Sequence, residues 1–270
     1  MYWIYDYPNW VIGPLFALVF VAITWGGIFL TRATVHAWIH QDPRTNNMIG
    51  TALSSFFVLF GLLLGLVAVA TYQNFSNVSD IVDKEASSIA ALYRDFGGYP
   101  QPACNQSRDS LREYARYVIE DSWPQQRQGI LPAGGSERIT ALSQMLFAFE
   151  PNRKNEEIIH AEALREFNRL IEYRRSRLAN VSTGLPHVLW WVVAFGALMN
   201  IALIWMLDME LHVHLILGGV LASILAIVIF LIAALDNPFR GAVSVGPDSI
   251  ALVYKTLMKP ESSPITVFSK

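Results

Sequence analysis

Four long stretches of this chain contain no Asp, Glu, Lys or Arg, and they restrict its fold more than any other feature. They cover residues 10–30, 48–72, 186–207 and 211–235. A bilayer core of about 30 Å is crossed by about 20 residues of α-helix. Because backbone polar groups in lipid must be satisfied internally, each stretch is predicted to be a transmembrane helix. A bundle of soluble helices is not expected to contain four such runs.

The composition also indicates an integral membrane protein. Of 270 residues, 53% are apolar and only 16% are charged, which is too little charge to cover a soluble domain. The 20 basic and 22 acidic residues nearly balance, so there is no basic surface for nucleic acid. The single cysteine, Cys104, excludes an intrachain disulfide framework. The expected surroundings are therefore a lipid bilayer, and nucleic acid is not an expected partner.

The uncharged stretches divide the chain into four predicted parts. These are transmembrane helices 1 and 2 (residues 1–72), a helical extramembrane domain (73–185), transmembrane helices 3 and 4 (186–236), and a C-terminal tail (237–270) with a Pro-Phe-Arg-Gly turn and a short helix. The predicted fold class is thus an all-α integral membrane protein with a helical cytosolic domain between spans 2 and 3.

Apolar residues of the central region recur at helical spacing. The pattern predicts helices over residues 80–96, 107–123, 136–149 and 155–178. Asn155 is the predicted N-cap of the last one. A further short helix is predicted over residues 247–258, after the turn.

The distribution of Lys and Arg predicts the orientation. The loop between spans 1 and 2 holds Arg32 and Arg44, and the hairpin between spans 3 and 4 holds neither Lys nor Arg. Basic residues near the membrane instead precede span 3 and follow span 4. The positive-inside rule therefore places both termini and the central region in the cytoplasm, although the two loop arginines oppose this.

Signatures of enzymes and metal sites are weak. The chain has no Walker loop, no G-x-S-x-G elbow and no HExxH motif, so no enzyme and no cofactor is predicted. His36 and His40 are four residues apart and could share a helix face as metal ligands. Weak metal candidates also alternate at the hairpin, where polar groups are expected anyway; these are Asp208, Glu210, His212 and His214.

Span 2 carries the most informative pattern. Phe56, Phe60 and Leu64 are spaced by four and lie one above another on a helix. Around an oligomer axis such a column would form an apolar constriction, which can gate ions by dewetting. Ordinary core or lipid-facing packing explains the same spacing.

Small and polar residues mark other candidate contacts in the spans. Gly61 and Gly65 form a G-x-x-x-G pair, which predicts close helix packing. Ser54 and Ser55 in span 2 and Asn200 in span 3 either line a wet path or bond a neighbouring helix. After span 4, a turn contains Asp236, Pro238, Phe239 and Arg240, and the first and last of these could form an ion pair if the helix continued.

Three segments resemble the bacterial bestrophin-like domain family. They are Asn47–Gly50 leading into span 2, Glu85–Arg94 (EASSIAALYR), and Leu235–Gly241 (LDNPFRG). The last segment is also similar to the Asn-Pro-Phe-Gly turn of bestrophins proper. The order and spacing of these segments resemble the family over about residues 45–250.

The resemblance implies an oligomeric ion channel of a bacterial inner membrane, pentameric as in bestrophins, with inorganic ions as its cargo. It places the pore neck at Phe56, Phe60 and Leu64, and it favours an anion without fixing the ion. The acidic run that clasps calcium in animal bestrophins is missing after the turn, where only Asp248 is close, so no calcium site is expected. The alternative is a non-conducting membrane scaffold or sensor whose cytosolic helices bind a partner.

Overall fold

The computed structural model of the chain describes Tyr5 and residues 7–39 and 43–259, without the side chains of residues 38, 39 and 43. Within these residues it contains no strand. The α-helices are α1 (Asn9–Ile39), α2 (Pro43–Asp95), α3 (Ala103–Tyr117), α4 (Trp123–Arg127), α5 (Gly135–Ala148), α6 (Lys154–Ala179), α7 (His187–Trp205), α8 (Leu211–Leu235) and α9 (Asp248–Val253). The prediction of an all-α membrane protein is confirmed, with the apolar spans in α1, α2, α7 and α8.

The helix bounds differ from the apolar stretches where nothing in the sequence stops a helix. Helix α1 continues to Ile39, beyond the predicted end of span 1. Helix α2 is 53 residues long and contains both span 2 and the first helix predicted for the central region. No proline or glycine interrupts it between Leu66 and Asp95. The backbone therefore stays helical where the side chains change from apolar to polar.

The chain divides into two compact units. The membrane unit contains Met1–Phe75 and Thr183–Ser244, and the polar unit contains Ser76–Ser182 and Val245–Lys270. The end of the membrane unit includes the turn after α8, whereas α9 belongs to the polar unit.

The core of the membrane unit lies among α2, α7 and α8. It contains Phe60, Leu64, Val67, Val193, Ala197, Ile201, Leu225, Ile229 and Ile232. Helix α1 packs mainly along α8. Two glycines allow large rings to approach: a Cβ at Gly196 would lie 2.1 Å from the ring of Phe60, and one at Gly27 would lie 1.9 Å from the ring of Trp205.

In the polar unit, α3 is followed directly by a π-helical segment, Val118–Ser122, and then by α4. The predicted helix over 107–123 is therefore three consecutive helical segments. Helix α6 begins at Lys154, so the prediction of Asn155 as its N-cap is wrong. Arg153 occupies that position, and the carboxylate of Glu156 accepts a 2.9 Å hydrogen bond from the backbone N–H of Asn152. A carboxylate in the first turn can satisfy a free backbone donor there.

Candidate pore face

Helix α2 has one buried face and one exposed face in the membrane unit. Leu53, Phe60, Leu64 and Val67 are at most 7% exposed. The opposite face is apolar and 54–71% exposed at Val58, Leu62, Leu66 and Val69. The helical repeat of 3.6 residues separates the two sets. We call the second set the exposed α2 face.

The column predicted as a pore neck points into the unit. Phe60 and Leu64 belong to its core, and Phe56 packs partly buried against that core, with its ring stacked 6.3 Å from that of Phe60. The ring of Phe60 occupies the space left by Gly196 of α7. Phe60 and Leu64 are 7% and 3% exposed, so in this structure they face the core of the membrane unit and not the exposed α2 face.

Three hydroxyls lie exposed near the start of the apolar part of α2. Thr51, Ser54 and Ser55 donate hydrogen bonds of 2.9–3.0 Å to the carbonyls of Asn47, Gly50 and Thr51, four residues earlier. Each hydroxyl proton is thus used in a hydrogen bond to the helix backbone, and each hydroxyl oxygen remains on the exposed side of the helix. Such groups on a membrane-spanning surface favour contact with water or protein rather than with acyl chains.

The other small and polar candidates take different positions. A Cβ on Gly61 or Gly65 would meet no atom within 4 Å, so the chain's own helices do not pack there. Asn200 is completely buried and donates from Nδ2 to the carbonyl of Gly196 at 2.9 Å. Its Oδ1 has no hydrogen-bond partner among the described residues. Asn200 therefore lies inside the helix bundle, away from the exposed α2 face.

The hairpin residues do not come together as one set. His214 is buried, and its Nε2 is 2.9 Å from the carbonyl oxygen of Ile204. The carboxylate of Asp208 lies 3.0 Å from Nδ1 of His36, and its backbone N–H and carbonyl bond the side chain of Asn46. Over residues 7–39 and 43–259, no three His, Cys, Asp or Glu side chains are placed to hold a metal ion. His40, which the sequence pairs with His36, lies outside the described residues.

The turn after α8 fixes the end of the last span. The carboxylate of Asp236 accepts hydrogen bonds from the backbone N–H of Leu185 at 2.5 Å and from Nε1 of Trp190 at 3.2 Å. Asp236 thus bonds the chain that leads into α7, and α8 ends before the predicted pairing with Arg240 could form on one helix.

The residues that follow bury Phe239, which is 1% exposed, and turn at Gly241 with φ +86°. Pro238 stops the helix because it has no backbone N–H. Tyr5 donates from its hydroxyl to the carbonyl of Ala233 at 2.9 Å and accepts a 2.8 Å hydrogen bond from Nδ2 of Asn237. The sequence offers no signal for this contact, since Tyr5 precedes its partners by more than 200 residues.

A buried ion pair in the polar unit was also missed. Arg177 is 1% exposed, and its guanidinium donates to both carboxylate oxygens of Glu85 at 2.6 and 3.0 Å. It also donates to Oε1 of Gln126 at 2.8 Å, and Tyr114 donates to Glu85 at 2.9 Å. Burial raises the pKa of the Tyr114 hydroxyl, and the charge of Glu85 raises it further, so the hydroxyl stays protonated as a donor. The four side chains join α2, α3, α4 and α6.

Structural comparisons support the fold. A bacterial bestrophin homologue from Klebsiella pneumoniae superposes with a TM-score of 0.62 at 13% identity, covering 89% of this chain and 95% of that chain. A point variant of it gives 0.66 at 12% identity, covering 92% and 99%. A variant described only as a membrane protein gives 0.65 at 13% identity, covering 89% and 96%.

Sequence comparison is more specific. No curated protein sequence matches this chain. The family model for the bestrophin-like domain matches residues 18–250, which include all four spans except the start of α1. The match covers most of the chain, and the solved structures share its fold along nearly their whole length. The chain is therefore a member of the bestrophin-like domain family.

Proposed function

We propose that this protein is an ion channel whose pore is lined by the exposed α2 face in a ring of identical copies. The observation that carries the proposal is the order of exposed side chains along this side of α2. Exposed hydroxyls at Thr51 and Ser55 are followed along the helix by a wide apolar segment containing Val58 and Leu62. Hydroxyl groups at a pore entrance keep water there, and an apolar ring beyond them can gate ions by dewetting.

The family and the resemblance support the same interpretation at a coarser level. Family membership supports a membrane ion channel, and a homo-oligomer is needed because one α2 cannot enclose a pore. The pentameric form, an anion as cargo, and a bacterial inner-membrane location with cytoplasmic termini remain part of this proposal. The revised neck uses Val58, Leu62 and Val69 in place of Phe60 and Leu64, because the latter two are buried.

Truncation of paired residues tests the pore face. Leu62 is 64% exposed and Leu64 is 3% exposed, although both are leucines of the same helix. We expect purified Leu62→Ala to pass more current in planar bilayers than the wild type, because a wider and less apolar constriction wets more readily. Leu64→Ala is the matched control and is expected to leave the open-channel conductance unchanged while lowering stability.

Cysteine labelling tests the same face directly. In a Cys104→Ser background, a charged methanethiosulfonate reagent should alter the current of Leu62→Cys and leave that of Leu64→Cys unchanged. The reverse pattern would show that the face with Phe60 and Leu64 lines the pore. Absence of current from both the wild type and Leu62→Ala would overturn the channel proposal.

A non-conducting scaffold is the second candidate. It is favoured by apolar side chains exposed on the polar unit, where Leu131 is 61%, Phe147 is 72% and Ile158 is 67% exposed. Exposed apolar groups often mark a protein interface. This candidate gains support only if the bilayer recordings are silent and a Phe147→Ser variant loses an interaction that the wild type makes in its native membrane.

A further inference from the structure

Asp208, in the hairpin between α7 and α8, connects three parts of the membrane unit. Asn46, in the first turn of α2, donates from Nδ2 to the backbone carbonyl of Asp208 at 3.0 Å. Its Oδ1 accepts a second hydrogen bond, also of 3.0 Å, from the backbone N–H of the same residue. The carboxylate oxygens of Asp208 lie 3.1 and 3.0 Å from Nδ1 of His36, near the end of α1. The start of α2 is therefore bonded to a backbone that α1 also holds.

The residues just before Asp208 are fixed against α1. Trp205, the last residue of α7, donates from Nε1 to the carbonyl of Thr24 at 3.0 Å. Its carbonyl accepts a 3.3 Å hydrogen bond from the hydroxyl of Thr31, and its ring fills the space left by Gly27. The backbone of Asp208 is thus a fixed reference for the position of α2.

The side chain of Asn46 suits this contact better than other residue types of its size. An amide group offers a donor and an acceptor in one plane, which matches the N–H and C=O of one backbone residue. A carboxylate offers acceptors only, and the side chain of leucine offers neither. The next residue, Asn47, is exposed. The two asparagines therefore have the same chemistry but different surroundings, and only the first bonds the backbone of Asp208.

The Asn46 contact and the exposed hydroxyls lie on opposite sides of the same helical turns. Asn46 and Leu53 are seven residues, or about two turns, apart and share one side of α2, where Leu53 packs against α1 and α7. Successive residues are rotated by about 100°, so Thr51 lies about 140° and Ser55 about 180° from Asn46. A rotation of the first turns of α2 about its axis would therefore move these hydroxyls away from their present direction.

We propose that Asn46 is a positioning residue for the entrance of the pore. Its two hydrogen bonds to Asp208 set the rotation of the first turns of α2. That rotation directs the hydroxyls of Thr51 and Ser55 toward the water of the pore. The inference rests on the proposed function, since it uses the side of α2 that lines the pore in the ring.

Cysteine modification measures the position of the entrance without any recording of current. In a Cys104→Ser background, Thr51→Cys is treated with a charged methanethiosulfonate reagent in proteoliposomes, and the rate is followed by mass spectrometry. We expect Asn46→Leu to slow this modification by about fivefold or more, as the loss of a hydrogen bond implies. Asn47→Leu is the matched control and should leave the rate unchanged. Leu62→Cys, about three turns further along, should react at the same rate with either asparagine variant.

Two further variants separate the positioning role from a general loss of packing. Asn46→Asp keeps the size of the side chain but loses the donor, so it should also slow the modification of Thr51→Cys. Asp208→Ala removes the contact with His36 and keeps the backbone groups that Asn46 bonds, so the rate should stay near that of the wild type. Equal slowing at Thr51→Cys and Leu62→Cys would show a general structural change and would overturn the positioning role.

The outcomes separate this inference from the channel. If Thr51→Cys reacts equally fast in Asn46→Leu and Asn47→Leu, Asn46 does not position the entrance, and current that responds to Leu62 would still support the channel. Slower modification in Asn46→Leu together with silent bilayers would keep the positioning role and overturn the pore. Where the wild type conducts, Asn46→Leu should pass less current than Asn47→Leu, because its entrance is less hydrated.

Discussion

Arg177 is buried in the polar unit, yet it is fully paired. Its guanidinium meets both oxygens of Glu85 and the amide oxygen of Gln126, and it lies 5.1 Å from the ring centre of Trp123. Transferring these charges out of water is costly, and that cost is offset only while every partner is in place. The pair therefore specifies how α2, α4 and α6 fit together more than it adds net stability.

Removing one partner of this pair should be far more damaging than removing an exposed one. Arg177→Met leaves the Glu85 carboxylate buried without its cation, and we expect a loss of about 3–5 kcal/mol in the free energy of unfolding. The exposed pair of Arg165 with Glu162 provides the control, and Arg165→Met should cost less than about 1 kcal/mol. Thermal unfolding in detergent measures both. An Arg177→Met midpoint equal to that of the wild type would contradict the prediction.

His160 makes a contact that depends on its proton. The hydroxyl of Tyr99 lies 2.7 Å from its Nδ1, and the ring of Phe149 is 5.3 Å from the imidazole. Burial lowers the pKa of His160 below its ordinary value. The neutral ring therefore accepts the hydrogen bond from Tyr99, and burial in turn raises the pKa of that hydroxyl.

The lowered pKa predicts a loss of stability in acid. The folded state binds a proton at His160 less tightly than the unfolded state does. The stability that the neutral imidazole contributes is therefore fully present above the unfolded pKa of about 6.5 and is lost as the pH falls below it. We expect the unfolding midpoint of the wild type to decrease more than that of His160→Gln between about pH 7.5 and about pH 5. Parallel decreases would show that His160 does not contribute. The same pair measured above pH 7.5 serves as the reference.

Helix α2 shows what a sequence pattern can and cannot predict about an element. Its apolar length predicted a span, and the helix is there. The spacing of Phe56, Phe60 and Leu64 predicted that the three side chains lie on one face of the helix, and in the structure they pack against the same core. What that face contacts depends on Gly196 of α7, which is more than 130 residues away in the sequence. Since the apolar part of α2 has apolar side chains on every face, hydrophobicity there does not distinguish a face toward the core from one toward a pore or lipid. Only the packing partner does.

The fit between Phe60 and Gly196 predicts a sharp steric effect. A Cβ at residue 196 would lie 2.1 Å from Cε2 of Phe60, so Gly196→Ala must displace the ring or the helix. We expect a loss of about 1–3 kcal/mol, as for other overpacked cores. Gly196→Ala combined with Phe60→Leu should recover part of the loss. Gly26→Ala, with open space around it, should be neutral or more stable by up to about 1 kcal/mol. Unfolding midpoints in detergent compare the variants.

Across the whole molecule, the features that depend on local sequence were predicted best. The four spans, the helical class and the turn after α8 follow from local hydrophobicity and from Pro238. The buried pair of Glu85 and Arg177 and the Tyr5 contact did not follow, because charged or aromatic residues on surface-like segments give no local sign of a distant partner. The contacts that position the candidate pore face are of this long-range kind.

The orientation in the membrane is the prediction that belongs to the complete chain. Four spans place the central region on one side and the α7–α8 hairpin on the other, and the positions of Lys and Arg favour the cytoplasm for the central region. In a Cys104→Ser background, a membrane-impermeant maleimide should label His212→Cys in spheroplasts. Lys154→Cys, exposed in the polar unit, should react only after permeabilisation. The opposite labelling would show that the orientation is inverted. Arg32 and Arg44 would then lie on the cytoplasmic side and would outweigh the basic residues next to α7 and α8.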